Sequence, residues 1–179
     1  MFFAGSGGQG ILLMGQLMCQ AAMLEGKEAT FFPSYGPEMR GGTANCTVIV
    51  SDKTISSPII FESDCVVAMT LPSMRKFEPT LKPGGTLMLN TSIIHQAPKR
   101  SDVEVYEIPV SDLANELGNP RVANVIMLGA FSRVTKIVSP DTIETVLRNV
   151  FGTAKAELVD LEIKAFNLWG DREFCGPQM

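Results

Sequence analysis

The chain has 179 residues, a formal net charge of −4, and 45% hydrophobic against 19% charged residues. A chain of this length buries roughly 70% of its unfolded surface as one domain, so we predict a single domain over residues 1–179. Its scattered basic residues exclude an electrostatic footprint for nucleic acid or an anionic membrane, and no apolar run approaches the roughly 20 residues of a membrane span. Without a cationic leader or a small-residue cleavage site, the chain is predicted to be cytoplasmic.

A glycine-rich turn follows the first apolar segment, Met1 to Ala4, which we predict to be a strand. The sequence GSGGQG matches G-x-G-x-x-G through Gly5, Gly7 and Gly10, a pattern that permits close approach of the backbone to a ligand. A helix beginning near Gly8 would offer free N–H groups to an anion. The alternative is that these glycines only let the helix pack tightly on a sheet.

A dinucleotide site needs an acidic side chain at the end of the second strand, roughly 20 residues after the glycine turn. The predicted second strand, Glu28 to Phe32, has its carboxylate at the start, and Glu38 lies in the following loop. The sequence therefore does not favour an NAD site.

The remaining elements alternate between strands and helices before the chain becomes helical. We predict strands at 44–50, 65–69, 86–90 and 103–108, a short strand at 55–60 broken by Pro58, and a turn at 82–85. Helices are predicted at 11–25, 71–77, 111–117, 119–135, 139–150 and 153–169, with Ser139 and Thr153 as caps. This rhythm predicts a three-layer α/β/α fold with a Rossmann-like, mostly parallel sheet and a helical C-terminal part.

The cysteines indicate no metal site in this chain alone. Cys19, Cys46, Cys65 and Cys175 are widely spaced without a C-x-x-C pair, and the first three lie in apolar segments typical of buried free thiols. His95, the one histidine, follows two apolar residues at a predicted strand end and is interpreted as a surface or capping residue, not a general base. Neither zinc nor an iron–sulfur cluster is expected here.

A second unusual loop, residues 34–43, follows the second strand and is therefore expected at the same sheet edge as the glycine turn. Arg40 is a candidate partner for a phosphate or carboxylate, Tyr35 for stacking or hydrogen bonding, and Glu38 for orienting Arg40. The alternative is a surface loop with solvated charges.

Several motifs together resemble the γ subunit of 2-oxoacid:ferredoxin oxidoreductases, especially the 2-oxoglutarate type. They are the glycine turn 5–10, SYGPEMRGGTANC at 34–46, KFE at 76–78 with LKPGG at 81–85, ELGN at 116–119, RVAN at 121–124, and MLGA at 127–130. The resemblance covers most of the chain, and the 34–46 block is the most specific part.

The resemblance implies an enzyme that converts a 2-oxoacid and coenzyme A to acyl-CoA and carbon dioxide, with thiamine diphosphate, magnesium and iron–sulfur clusters. Those groups would sit on α and β subunits, with a ferredoxin-like δ subunit as an optional partner, and electrons would pass to ferredoxin. A homodimer is a further option for the isolated chain. No catalytic residue is expected in this chain alone. The expected binding residues are Gly5, Gly7, Gly8, Gln9, Gly10, Tyr35, Gly36, Glu38, Arg40, Gly41 and Gly42.

Three alternatives stay open at this point. The subunit could be purely structural, with both loops at subunit interfaces. The acid could be a branched-chain 2-oxoacid, pyruvate or indolepyruvate instead of 2-oxoglutarate. A stand-alone nucleotide-dependent oxidoreductase is disfavoured, because the dinucleotide acid is missing.

Overall fold

A central sheet organises the molecule in the computed structural model, which describes residues 1–35, 43–152 and 156–169. Within these residues, six strands form one sheet in the order β2-β3-β1-β4-β5-β6. The strands are β1 (Phe2–Ser6), β2 (Glu28–Tyr35), β3 (Thr43–Ser51), β4 (Ser63–Ala68), β5 (Leu81–Asn90) and β6 (Glu104–Ile108). The helices are α1 (Ile11–Leu24), α2 (Leu71–Phe77), α3 (Val110–Glu116), α4 (Ala123–Thr135), α5 (Pro140–Phe151) and α6 (Ala156–Asn167).

The sheet is mostly parallel, as predicted. β1, β4, β5 and β6 run parallel to one another, whereas β3 is antiparallel to both of its neighbours, β1 and β2. Because β3 returns antiparallel from β2, the carboxyl ends of β1 and β2 lie at the same edge of the sheet. The two loops singled out in the sequence follow these two strands.

Helices cover both faces of the sheet, which confirms the three-layer prediction. Successive residues of β1 point to opposite faces, so Phe3 belongs to one apolar cluster and Phe2 to the other. The first cluster packs the sheet against α1 and the C-terminal helices, with Phe3 and Phe131 ring centroids 5.2 Å apart. The second cluster packs the sheet against α2, where the ring centroids of Phe2 and Phe77 are 4.8 Å apart. The extent of the domain, residues 1–179, stays a prediction.

Several predicted boundaries were wrong. Residues 55–60 form no strand, because Pro58 removes a ladder donor and Ile59 and Phe61 are exposed. The predicted turn at 82–85 lies within β5, at an irregular step in its pairing with β4, where the Gly84 N–H donates to the Asp102 carbonyl. β1 extends through Ser6, and β2 continues to Tyr35.

The C-terminal half is helical, as predicted, and one cap is confirmed. Ser139 Oγ accepts the N–H of Asp141 at 3.3 Å, which caps α5. The predicted cap at Thr153 lies outside the described residues. No helix in the described ranges is long and apolar enough to cross a bilayer.

Candidate functional site

The glycine turn between β1 and α1 is held by one side chain. The Ser6 N–H donates to Gln9 Oε1 at 2.7 Å, and the Gln9 N–H donates back to the Ser6 carbonyl at 3.2 Å. The N–H groups of Gly7, Gly8 and Gly10 donate to no acceptor among the described residues. The turn therefore presents a group of unused backbone donors at the start of a helix, an arrangement that suits an anion.

The helix starts later than the sequence predicted. Gly8 has a φ of 91° and Gly10 a φ of 70°, both in the left-handed region that a right-handed helix excludes. α1 therefore begins at Ile11 instead of near Gly8. Gly8 and Gln9, which precede it, line the candidate site.

Asn124, at the start of α4, is a site residue that sequence reasoning missed. Its side chain is 3% exposed, and Nδ2 lies 3.4 Å from the Gly10 carbonyl oxygen, to which it donates. Its Oδ1 is buried without a hydrogen-bond partner among the described residues. A buried asparagine in an otherwise apolar helix was the available signal, since such a group needs a partner.

A cavity of about 220 Å³ adjoins the glycine turn. Gly8 and Gln9 line one side, Ser111 lines it from the first turn of α3, and Arg121 lines it from the short turn that precedes α4. Arg121 is exposed and forms no ion pair with a described residue. The cavity thus combines backbone donors with one uncompensated guanidinium, which favours a phosphate or carboxylate ligand.

A second buried carboxamide lies behind this cavity. Asn90, at the end of β5, is fully buried and donates from Nδ2 to Ser111 Oγ at 2.9 Å. Its Oδ1 has no partner in the described part of the chain. Asn90 and Asn124 therefore each keep a buried carboxamide oxygen without a partner among the described residues, and each lies beside a residue that lines the cavity, Ser111 and Ala123 respectively.

The second loop begins and ends at the same edge. Tyr35 pairs with Ala44, Ala44 pairs with Gly5, and Thr43 pairs with Ser6. The predicted residues Gly36, Glu38, Arg40, Gly41 and Gly42 lie outside the described residues, as does the side chain of Tyr35. Their roles stay predictions. Glu28 pairs with Ser51 at the opposite edge, where a carboxylate cannot hold a ribose of a ligand at the turn.

The thiols are buried and poorly suited to chemistry. Cys19, Cys46 and Cys65 are free and buried, as predicted, whereas Cys175 lies outside the described residues. Burial raises the pKa of Cys46 and of Cys65 to about 12, so both remain protonated at neutral pH. His95 is exposed, which confirms its interpretation as a surface residue. Across the described ranges, no three His, Cys, Asp or Glu side chains group to hold a metal ion.

Comparisons with known proteins point to one family. A profile described as pyruvate ferredoxin/flavodoxin oxidoreductase matches residues 1–168. The 2-oxoglutarate synthase subunit KorC of Methanocaldococcus jannaschii is 38% identical over 144 residues, which cover 79% of this chain and 77% of that protein.

Two further relatives differ in how much of their length is matched. The ketoisovalerate oxidoreductase subunit VorA of Methanothermobacter marburgensis is 32% identical over 94% of this chain, but the chain spans only 35% of that relative's length. The crystal structure of the γ subunit of a keto/oxoacid ferredoxin oxidoreductase from Geobacter sulfurreducens is 32% identical, with a TM-score of 0.79 and 93% of both chains covered.

Proposed function

The chain belongs to the pyruvate ferredoxin/flavodoxin oxidoreductase family, and from that premise we propose that it is the γ subunit of a cytoplasmic 2-oxoacid:ferredoxin oxidoreductase. Relatives of similar length support the subunit role, since the matched part of KorC and of the Geobacter γ subunit is most of each chain. In the proposed reaction, a 2-oxoacid and coenzyme A give acyl-CoA and carbon dioxide. The two electrons released reduce two ferredoxins.

The chemistry that breaks the carbon–carbon bond would be supplied by partner subunits. The described cysteines do not fit an iron–sulfur cluster, because Cys19, Cys46 and Cys65 are buried in three different elements and form no group. No described cluster of carboxylates suits magnesium either. The α and β subunits are therefore proposed to hold thiamine diphosphate, magnesium and the clusters, with a ferredoxin-like δ subunit as an optional fourth partner.

This chain is proposed to contribute an anion-binding edge for coenzyme A. The observation that carries the proposal is the cavity beside the glycine turn, with its unused N–H groups and the unpaired Arg121. Coenzyme A carries phosphates, which match those donors. Arg40, in the loop that leaves the same edge, is proposed as a second cation.

The proposed substrate is 2-oxoglutarate. It rests on the resemblance of the 34–46 block and on the identity to KorC, whereas VorA is named for ketoisovalerate. The side-chain pocket of the acid is proposed to lie on the partner subunits. The preferred acid must therefore be determined on the assembled enzyme.

The test starts from the complex. The chain is tagged in its native host and purified anaerobically with its partners, and coenzyme A-dependent reduction of a viologen dye is measured with 2-oxoglutarate, ketoisovalerate, pyruvate and indolepyruvate. The proposal expects a brown complex that reduces the dye, with 2-oxoglutarate preferred. A chain that purifies alone and inactive from cells growing on such substrates would contradict the subunit role.

The role of the cavity is tested separately by substitution. Arg121→Gln and Arg40→Ala should each raise the KM for coenzyme A about tenfold, because a charge-assisted contact contributes about 1.5–3 kcal/mol, while the complex still assembles. Arg148→Gln, on the exposed side of α5, is the matched control and should leave that KM unchanged. An unchanged KM for coenzyme A in both test variants would refute binding of coenzyme A at this edge of the sheet.

A purely structural role is the second candidate. It is favoured by exposed apolar side chains, which are Met23 and Leu24 at the end of α1 and Phe32 on the edge strand β2. In that case the complex would lose assembly when Phe32 is replaced by Asp, and no substitution at the glycine turn would change the KM for coenzyme A. Pairing of isolated chains as a homodimer through such exposed apolar residues is part of this candidate.

A further inference from the structure

The connection between β5 and β6, residues 91–103, contains no helix. A parallel crossover usually carries a helix that packs on the sheet beside its neighbour. Here a cavity of about 370 Å³ lies between this connection and the C-terminal end of α2. It is lined by Met74 and Arg75 of α2, by Glu78 and Pro79 of the turn after it, and by Lys99 and Arg100 of the connection.

Glu78 is a buried carboxylate in the wall of this cavity. It is 3% exposed, and its Oε1 accepts the N–H groups of Lys99 at 2.5 Å and Arg100 at 2.7 Å. Its second oxygen, Oε2, has no hydrogen-bond donor among the described residues. A carboxylate removed from water is stable only when it is paired or hydrogen-bonded, so Oε2 requires a donor from solvent or a ligand.

Two positively charged side chains at this cavity lack an acidic partner in the described part of the chain. Arg75 donates from Nη2 to Gln96 Oε1 at 2.6 Å but forms no ion pair with a described residue, and neither does Lys99. Arg100, by contrast, is paired with Asp102 at 2.5 Å. The cavity therefore presents two cations unpaired within the described ranges, Arg75 and Lys99, close to the Glu78 carboxylate, which the Arg100 guanidinium also faces, on a chain whose net charge is −4.

We propose that this cavity binds a small zwitterion, an α-amino acid. Its carboxylate would bind Arg75 and Lys99, its ammonium would donate to Glu78, and its side chain would contact the apolar wall at Met74. A simple anion would leave Glu78 without a donor, and a simple cation would face the two free positive charges. A volume of about 370 Å³ is within the usual range for small-molecule sites.

The site is separate from the edge that carries the proposed coenzyme A function. Glu78 directly precedes β5, at the opposite edge of the sheet from the glycine turn, and the two cavities share no lining residue. The inference therefore does not depend on the proposed enzyme.

The test measures binding to the purified full chain by isothermal titration calorimetry. L-alanine, L-valine and L-glutamate are compared with pyruvate, ketoisovalerate and 2-oxoglutarate, which lack the ammonium, and with ethylamine, which lacks the carboxylate. We expect at least one amino acid to bind with a Kd of about 1 mM or lower, and its 2-oxoacid and ethylamine to bind at least tenfold more weakly. No binding of any of the three amino acids at about 10 mM would overturn the proposal.

Variants locate the binding. Glu78→Gln keeps an oxygen for the two backbone N–H groups, and Lys99→Gln changes only an exposed side chain, so each should weaken amino-acid binding about tenfold or more. Lys76→Gln is the matched control, because Lys76 lies on the same helix but does not line the cavity. If the Glu78→Gln variant does not fold, the amino-acid affinity of Lys99→Gln alone tests the site. Equal affinity in Lys99→Gln and the unsubstituted chain, or an equal loss in Lys76→Gln, would refute the site.

Discussion

Replacing Gly10 by alanine tests whether the glycine turn is built against α4. The φ of Gly10 is 70°, and a Cβ placed there would lie 2.3 Å from Asn124 Nδ2 and 2.7 Å from its Cγ. Asn124 is buried, so its carboxamide has little room to withdraw. Gly8 is a matched control, because its φ is 91° but a Cβ there meets nothing within 4 Å.

The expected cost has two parts. A non-glycine residue in the left-handed region costs about 1–2 kcal/mol, and this cost applies to Gly8→Ala and to Gly10→Ala alike. Overpacking a buried site costs about 1–3 kcal/mol more, and this cost applies only to Gly10→Ala. We therefore expect Gly10→Ala to lower the free energy of unfolding by about 2 kcal/mol more than Gly8→Ala, equivalent to a further fall in Tm of roughly 4–8 °C.

Urea denaturation of the purified chain measures these differences in the free energy of unfolding. Asn124→Ala, alone and combined with Gly10→Ala, completes a double-mutant cycle. Removing the carboxamide opens room for the new Cβ, so Asn124→Ala should recover about 1–3 kcal/mol in the Gly10→Ala background. Equal stability of Gly8→Ala and Gly10→Ala, or no recovery in the double variant, would refute the contact between the turn and α4.

Three further predictions concern stability and thiol reactivity. Ser139→Ala should lower the free energy of unfolding by about 1 kcal/mol through loss of the α5 cap, whereas exposed Ser56→Ala should not. Burial raises the pKa of Glu162 to about 6 from 4.5, so its proton is held more tightly in the folded chain and stability falls as pH rises through 4.5 to 6. Glu162→Gln should therefore stabilise the chain by about 1 kcal/mol at pH 7, less than the full shift because solvent partly screens the carboxylate, and should not stabilise it below pH 4.5. A similar gain from the exposed Glu157→Gln would contradict this cause. Cys65, whose pKa is raised to about 12 by burial, should react with a thiol reagent only after unfolding; rapid labelling of the native chain, located by peptide mapping, would contradict its burial.

The sequence predicted the order of the elements because the signals are local. Alternating and continuous apolar runs gave β1, β3, β4 and β6, and Ser139 with Pro140 gave the start of α5. It missed the extension of β2 to Tyr35, because Pro33 and Ser34 are poor strand residues. Pairing with β3 keeps them extended, and that pairing is a tertiary contact.

The candidate site was only half visible in the sequence. Four glycines within GSGGQG marked the turn, since backbone conformation there depends on the residues themselves. Asn124 and Arg121 were not recognised as site residues, because they lie more than a hundred positions further along the chain; the Asn124–Gly10 contact spans 114 positions. No local pattern reports which distant side chain will pack against a turn.

The sequence by itself determined the α/β class, the glycine turn and the resemblance to one enzyme family, because turn geometry, strand and helix periodicity, and motif blocks are properties of contiguous residues. Only the tertiary structure decided that β3 returns antiparallel between β2 and β1, and so places both loops at one edge. It also decided that the helix-free connection before β6 leaves a charged cavity beside α2. Both follow from packing between segments distant in the chain, whose free energy depends on which surfaces meet.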